Sequence, residues 1–201
     1  MLLTALSIAL LYVVLEMRTG VRSVGVFAMA MAFGFQFLAA VSVLGADAPH
    51  QAKMGFLGSL HIFGAIVGFS AVVMSNVFGF LYLLLYAAIK RGRFGLFYRK
   101  MPPLETLSEL NLTAAWLAFL SLTMTVGLGF WDYFAVTEAP FTVSSPAVIL
   151  TFLLWLLFGS AVLLQRFLRL GGKRLAYTTL IGFVILVGIL VAETIVRGIP
   201  I

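Results

Sequence analysis

The residues best suited to metal chemistry in this sequence are its two histidines, His50 and His61. His61 lies about six residues inside the third long apolar segment, roughly 9 Å from the start of that segment if it is helical. An ionisable side chain at such a depth in an apolar segment is energetically costly, and it therefore indicates a functional site. We identify His61 as a candidate ligand of a metal-containing cofactor. The alternative interpretation is a hydrogen bond from His61 to a neighbouring helix.

Small side chains follow His61 at intervals of three, four and seven residues, which places them on one face of a helix. Such a smooth face could hold a flat macrocycle ligated by His61, so Gly64 and Gly68 are candidate cofactor contacts. The same two glycines form a small-xxx-small motif, which lets two membrane helices approach closely. Helix packing is therefore the alternative interpretation of this face. Its members are Gly64, Ala65, Gly68, Val72, Ser75 and Gly79.

His50 lies in the loop that precedes this segment. A helix would separate it from His61 by roughly 16 Å, so both histidines could ligate one iron only if residues 46–54 fold back over the site. We name His50 as a candidate second ligand, and Met54 is an equally placed soft alternative. A solvated loop histidine without a ligand role is the competing interpretation.

Other kinds of chemistry lack the residues that they need. The absence of cysteine excludes disulfides, iron–sulfur clusters, thiolate zinc sites and covalently attached haem. The sequence contains no nucleophile elbow, no phosphate-binding P-loop and no zinc-protease motif, so we predict a non-catalytic protein. Glu193 and Arg197 are four residues apart, which predicts an ion pair at the membrane interface. A proton or substrate role for Glu193 is the alternative.

The composition of the chain is typical of a membrane protein. Of its 201 residues, 63% are hydrophobic and only 10% are charged, whereas a soluble domain has about 25% charged residues. The net charge of +6 comes from short basic clusters between apolar segments, a pattern that indicates membrane topology rather than a nucleic-acid surface. We therefore predict contact with a lipid bilayer and no nucleic-acid partner.

Six apolar segments approach the roughly 20 residues that a helix needs to cross a bilayer. The predicted fold class is all-α, a polytopic membrane bundle of about six transmembrane helices that form a single transmembrane domain over residues 1–201. Eleven of the thirteen basic residues follow the first, third and fifth segments, so these connections are predicted to be cytoplasmic and both termini to lie outside. The segments are 2–17, 24–45, 55–89, 111–134, 146–166 and 175–196.

Two further predictions concern the region after the third segment. Pro102 and Pro103 suit a helix start, and Leu104, Leu107 and Leu110 share one face, which predicts a short interfacial helix that leads into the fourth segment. The fourth segment carries a stripe of small residues, which we expect to face the helix that bears His61. The stripe comprises Ala114, Ala118, Ser121, Thr125 and Gly129.

Several short blocks occur in a defined order along the chain. They are Leu6-Ser7 with Tyr12 and Glu16, His61 with Leu81-Tyr82-Leu83 and Lys90, Met101-Pro102-Pro103-Leu104-Glu105-Thr106-Leu107, Leu122-Thr123-Met124-Thr125-Val126-Gly127, and Gly172-Lys173-Arg174 with Ile181-Gly182-Phe183. In this order and spacing they resemble the cytochrome c assembly family of membrane proteins, the CcsA/HemX-like group. The resemblance covers nearly the whole chain. The helix that begins at His61 resembles the family's haem-proximal histidine helix.

The resemblance implies a bacterial inner-membrane protein that handles haem in cytochrome c biogenesis, with heme b as cofactor and His61 as its outer-face axial ligand. The family's tryptophan-rich outer loop is reduced here to Trp131-Asp132, and its second outer histidine is absent. An accessory, HemX-like role is therefore expected, with other membrane proteins or cytochrome assembly components as partners. The alternative is a non-catalytic structural subunit of a membrane respiratory or electron-transfer complex, with or without a b-type haem. A small transporter is a third, weaker reading, because the sequence has no inverted repeat.

Overall fold

The structure is a computed structural model that describes residues 2–19, 24–43, 55–92, 94–136, 146–168 and 171–196. Every regular element in these ranges is an α-helix, which confirms the predicted all-α membrane bundle. The helices are α1 (Leu2–Thr19), α2 (Gly25–Val43), α3 (Phe56–Lys90), α4 (Leu96–Lys100), α5 (Leu104–Val136), α6 (Pro146–Leu168) and α7 (Gly172–Val196).

The outer surface of the bundle is suited to lipid. Within the described ranges, α3, α5, α6 and α7 are long and apolar enough to cross a membrane, and the apolar parts of α1 and α2 are shorter. Large hydrophobic side chains are exposed along these helices, for example Phe152, Leu153 and Leu156 on α6. Because so much apolar surface would be unfavourable in water, lipid must cover it. The chain is a multi-pass membrane protein.

α3 is the central helix of the bundle. It packs against α1, α2, α5 and α7, and most extensively against α5. Its neighbours cover α3 so completely at mid-length that every residue from Ser70 to Gly79 is buried. α6 lies against α5 and α7, and there the indole nitrogen of Trp155 donates to Thr123 Oγ1 at 2.8 Å. His61 and Lys90 consequently lie near opposite ends of the helix that organises the bundle.

A group of polar side chains is buried where α3, α5 and α7 meet. Ser75, Asn111 and Thr179 lie at this point, and with Asn76, which follows Ser75 on α3, we term them the polar centre; none of the four is more than 4% exposed. The Ser75 hydroxyl donates to Asn111 Oδ1 at 2.6 Å. Asn76 Oδ1 and Asn111 Nδ2 have no hydrogen-bond partner in the part of the chain that the structure describes. Gly79 makes room for this group, because a Cβ there would lie 2.5 Å from Thr179 Oγ1 and 3.2 Å from Asn111 Nδ2.

The connection between α3 and α5 differs from the sequence prediction. α5 begins at Leu104 and continues for 33 residues, so the prediction of a separate short interfacial helix before residue 111 is wrong. Leu107 and Leu110 belong to the hydrophobic core and do not lie on the membrane surface. Because no proline or glycine occurs between Leu104 and Asn111, nothing ends the helix there. The short helix of this region is α4, which precedes the two prolines.

Candidate functional site

The imidazole of His61 bridges α3 and α5 near one end of the bundle. Its Nδ1 atom lies 2.9 Å from the backbone carbonyl oxygen of Thr125. A carbonyl oxygen can only accept a hydrogen bond, so Nδ1 carries the proton and donates it. In the neutral ring this leaves the lone pair on Nε2. The ring is half-buried, and within the described residues no hydrogen bond to Nε2 is found.

The sequence explains why the carbonyl of Thr125 is open to a side chain from another helix. Within α5 this carbonyl pairs with the N–H of Gly129, four residues later. Gly129 has no side chain to cover it, and a Cβ there would lie only 3.1 Å from Cε1 of His61. The glycine therefore leaves the space in which the imidazole reaches the carbonyl. A glycine four residues after a carbonyl is a sequence signal that such a carbonyl is accessible, although it does not show which side chain will reach it.

The glycine face that follows His61 lies against α5. A Cβ on Gly64 would lie 2.8 Å from Thr125 Oγ1, and one on Gly68 would lie 3.2 Å from two side-chain carbons of Leu122. On the opposing helix, Ala114, Ala118 and Thr125 are buried. These contacts confirm that the small-residue stripe of the fourth predicted segment faces the helix of His61. Gly64 and Gly68 thus have the helix-packing role that the sequence offered as an alternative.

This packing restricts where a macrocycle could meet His61. Because α5 covers the Gly64 and Gly68 face, a porphyrin ligated by Nε2 would have to lie on another side of the imidazole. Contact between haem and these two glycines stays a prediction of the sequence, and the geometry gives it no support. The residues next to His61 along the chain, Ile62 and Phe63, are apolar and exposed, so this end of α3 has an apolar outer surface.

The sequence matches the family described as Cytochrome C assembly protein over residues 1–195. The chain belongs to this cytochrome c assembly family. No curated protein and no solved structure matches it significantly. The family match confirms the resemblance drawn from the sequence blocks, and it gives the chain a role in cytochrome c biogenesis.

The ligand that the described residues of this cytochrome c assembly protein offer at the site is a single imidazole, a donor that haem iron can take. Among the described residues there is no cluster of three or more histidine, cysteine, aspartate or glutamate side chains that could hold a metal ion. Haem iron requires less from the protein, because the porphyrin supplies four nitrogen ligands and one imidazole can occupy an axial position. His61 has the form of such a ligand, since metal-bound histidines donate their second ring N–H to a carbonyl or carboxylate.

Several predicted residues fall outside the described part of this cytochrome c assembly protein. His50, Met54 and Arg197 are among them, as are the side chains of Asp132 and Glu193. The second-ligand role of His50 and the Glu193–Arg197 ion pair therefore stay predictions. Trp131 is described and is exposed, as the aromatic belt at a membrane interface requires.

Proposed function

We propose that this cytochrome c assembly protein binds haem b non-covalently through Nε2 of His61, and that it acts as an accessory, HemX-like protein of haem handling. The observation that carries the proposal is the hydrogen bond from His61 Nδ1 to the Thr125 carbonyl. This bond fixes the tautomer and the direction of the ring, so the lone pair of Nε2 is oriented before any ligand arrives. Bound haem would supply an iron with an axial position for this nitrogen.

The residues around His61 have distinct parts in this function. The Thr125 carbonyl positions the imidazole, and Gly129 provides the space for it. Gly64 and Gly68 hold α3 and α5 close enough for the hydrogen bond to form. The absence of cysteine restricts the attachment to coordination and apolar contact, because no thioether can form.

The charge distribution supports an outer-face position for this site in a bacterial inner membrane. Lys90, Arg91 and Lys173 lie together at the end of the bundle away from His61. By the positive-inside rule this end is cytoplasmic, which puts His61 near the outer face. We accordingly propose the bacterial cytoplasmic membrane as the location, with both termini of the chain outside.

An absorption spectrum of the purified chain with added haem tests the proposal. We expect a Soret band for the native protein, its loss in His61→Ala, and its return when imidazole is added to that variant, since free imidazole can occupy the vacated axial position. His50→Ala is the matched control, because it removes the other histidine. Retention of the Soret band in His50→Ala shows that haem binds without the His50 side chain. Loss of the band in both variants shows that the two histidines share the iron.

A Soret band that His61→Ala leaves unchanged would contradict the proposal. The second candidate function is a structural subunit of a respiratory or electron-transfer complex, and the packing of Gly64 and Gly68 against α5 suits it equally well. That function, with or without a b-type haem, predicts a chain that stays with partner subunits through purification in mild detergent.

A further inference from the structure

A polar opening lies at the end of the bundle away from His61. It is formed by the last two turns of α3 and the first turns of α7, and its volume is about 370 Å³. We term it the basic pocket. Its lining residues are Leu83, Tyr86, Ala87, Lys90, Arg91, Lys173 and Tyr177.

The lining of the basic pocket carries positive charge and contains no acidic residue. Lys90, Arg91 and Lys173 contribute three cations to the lining, and no aspartate or glutamate lines it. The described residues include no salt-bridge partner for any of the three. Lys90 and Lys173 are 83 positions apart in the sequence, so the packing of α7 on α3 brings these charges together. Cations gathered around one opening attract an anion more strongly than separate surface charges do.

Aromatic rings hold one of these cations in place. The ammonium nitrogen of Lys173 lies 5.2 Å from the ring centroid of Tyr86 and 5.9 Å from that of Tyr177, within the range of cation–π attraction. Tyr86 is in turn stacked on Tyr82, with ring centroids 6.4 Å apart. At Gly172 the start of α7 lies directly against Tyr82 and Ser108. The pocket is therefore built from two packed helices, α3 and α7, with α5 directly behind the start of α7, and it is more than a group of mobile surface lysines.

The pocket opens onto an apolar surface that continues toward the middle of the membrane. On α7, Ile181 and Val184 follow Tyr177 on the same helix face, and both are exposed. On α3, Phe80 lies about one turn before the lining residue Leu83, Leu84 directly follows Leu83, and both Phe80 and Leu84 are exposed. A ligand of this site thus meets cations at the depth of the headgroups and apolar side chains below them. A phospholipid has this combination of an anionic phosphate and acyl chains.

We propose that the basic pocket binds the headgroup of an anionic phospholipid in the cytoplasmic leaflet. The phosphodiester lies among Lys90, Arg91 and Lys173, and an acyl chain lies along the exposed face of α3 and α7. Such a lipid joins the cytoplasmic ends of these two helices, which the three like charges would otherwise push apart. The site is separate from His61 and does not depend on haem.

Lipid titration of the full-length chain in neutral detergent tests this proposal. The probes are short-chain phosphatidylglycerol, short-chain phosphatidylcholine and glycerol phosphate, and the readout is the amount of bound lipid in native mass spectra. We expect phosphatidylglycerol to bind the native chain at least about tenfold more tightly than phosphatidylcholine, because each basic residue near a lipid headgroup favours the anionic lipid. Glycerol phosphate, which has no acyl chain, should not compete.

A pair of variants with equal loss of charge makes the test specific. The pocket variant combines Lys90→Gln, Arg91→Gln and Lys173→Gln, and the control combines Arg99→Gln, Lys100→Gln and Arg166→Gln, three exposed residues outside the pocket. The preference for phosphatidylglycerol should disappear in the pocket variant and persist in the control. Equal weakening in both would show attraction by general surface charge and overturn the proposal. Competition by glycerol phosphate would show a site for free phosphate and overturn it as well. The Soret band of the pocket variant reports separately on His61.

Discussion

The same two helices, α3 and α5, meet in two polar contacts of opposite character. At the outer contact, the half-buried His61 donates to a backbone carbonyl of Thr125 and keeps the lone pair of Nε2 for another partner. About 14 residues further along α3, roughly 21 Å, Ser75 donates to the side chain of Asn111 inside the polar centre. There both residues are no more than 1% exposed, so no external ligand can reach them.

The comparison distinguishes a polar contact that can bind a ligand from one that can only fix how the two helices pack. In the outer contact the ring of His61 is only half-buried and Nε2 has no hydrogen-bond partner among the described residues, so a ligand can use this atom. In the polar centre the unused atoms are Asn76 Oδ1 and Asn111 Nδ2, and burial makes each of them unfavourable. Because the Ser75–Asn111 hydrogen bond forms in only one register of α3 against α5, the polar centre selects that register. The register in turn brings His61 to Thr125.

Gly79→Ala should have the largest effect on the polar centre. The added methyl would lie 2.5 Å from Thr179 Oγ1 and 3.3 Å from the backbone Cα of Ala176, so α3 and α7 must move apart. We expect the free energy of unfolding to fall by about 1–3 kcal/mol, as is typical of overpacking. The measurement is unfolding by sodium dodecyl sulfate in mixed micelles, followed by circular dichroism.

Gly127→Ala is the matched control for this substitution. It makes the same chemical change in a long helix of the bundle, but nothing lies within 4 Å of a Cβ at Gly127. Its free energy of unfolding should equal that of the native chain or rise slightly, since alanine favours helix over glycine. Equal destabilisation by both variants would mean that helix propensity or detergent, and not contact with Thr179, determines the result.

A double-mutant cycle on Ser75→Ala and Asn111→Ala measures how much the hydrogen bond between these two residues contributes to the free energy of unfolding. We expect a coupling free energy of about 0.6–1.7 kcal/mol, the range of hydrogen bonds between membrane helices. The haem affinity of both single variants should stay near the native value if the register survives. A coupling near zero would show that apolar packing alone selects the register of α3 on α5.

Gly129→Ala should have the smallest effect on stability and a specific effect at the outer contact. The methyl would lie 3.1 Å from His61 Cε1, which displaces the ring by a few tenths of an ångström at a cost below about 1 kcal/mol. Because the bond to the Thr125 carbonyl orients the imidazole, we expect haem affinity to fall about tenfold. Haem titration followed at the Soret band measures this.

Gly127→Ala serves as the control for Gly129→Ala too, because it lies on the same helix two residues away and is open on its surface. It should bind haem like the native chain. An unchanged affinity in Gly129→Ala would refute the positioning role of the Thr125 carbonyl, while the assignment of His61 as ligand would still depend on His61→Ala.

The sequence by itself determined the membrane character of this protein, its all-helical class and its family. A long apolar segment in lipid forms a helix, because its backbone groups have no water to bond and must form hydrogen bonds with one another. The small residues of the fourth segment also predicted which helix α5 faces, since close helix approach requires them. The sequence did not predict that α5 already begins at Leu104. Three leucines on one face, Leu104, Leu107 and Leu110, fit an interfacial helix and the buried start of a long helix equally well.

Only the tertiary structure decided which partner His61 takes and which charges share a pocket. Every residue has a backbone carbonyl, so the sequence does not show which one His61 will meet. The register of α3 on α5 makes the Thr125 oxygen the acceptor, because it places this oxygen 2.9 Å from Nδ1. The basic pocket likewise depends on the packing of α7 against α3, which brings Lys173 to Tyr86. Spacing along one helix can be read from its sequence, whereas the register between two helices results from many weak contacts that act together.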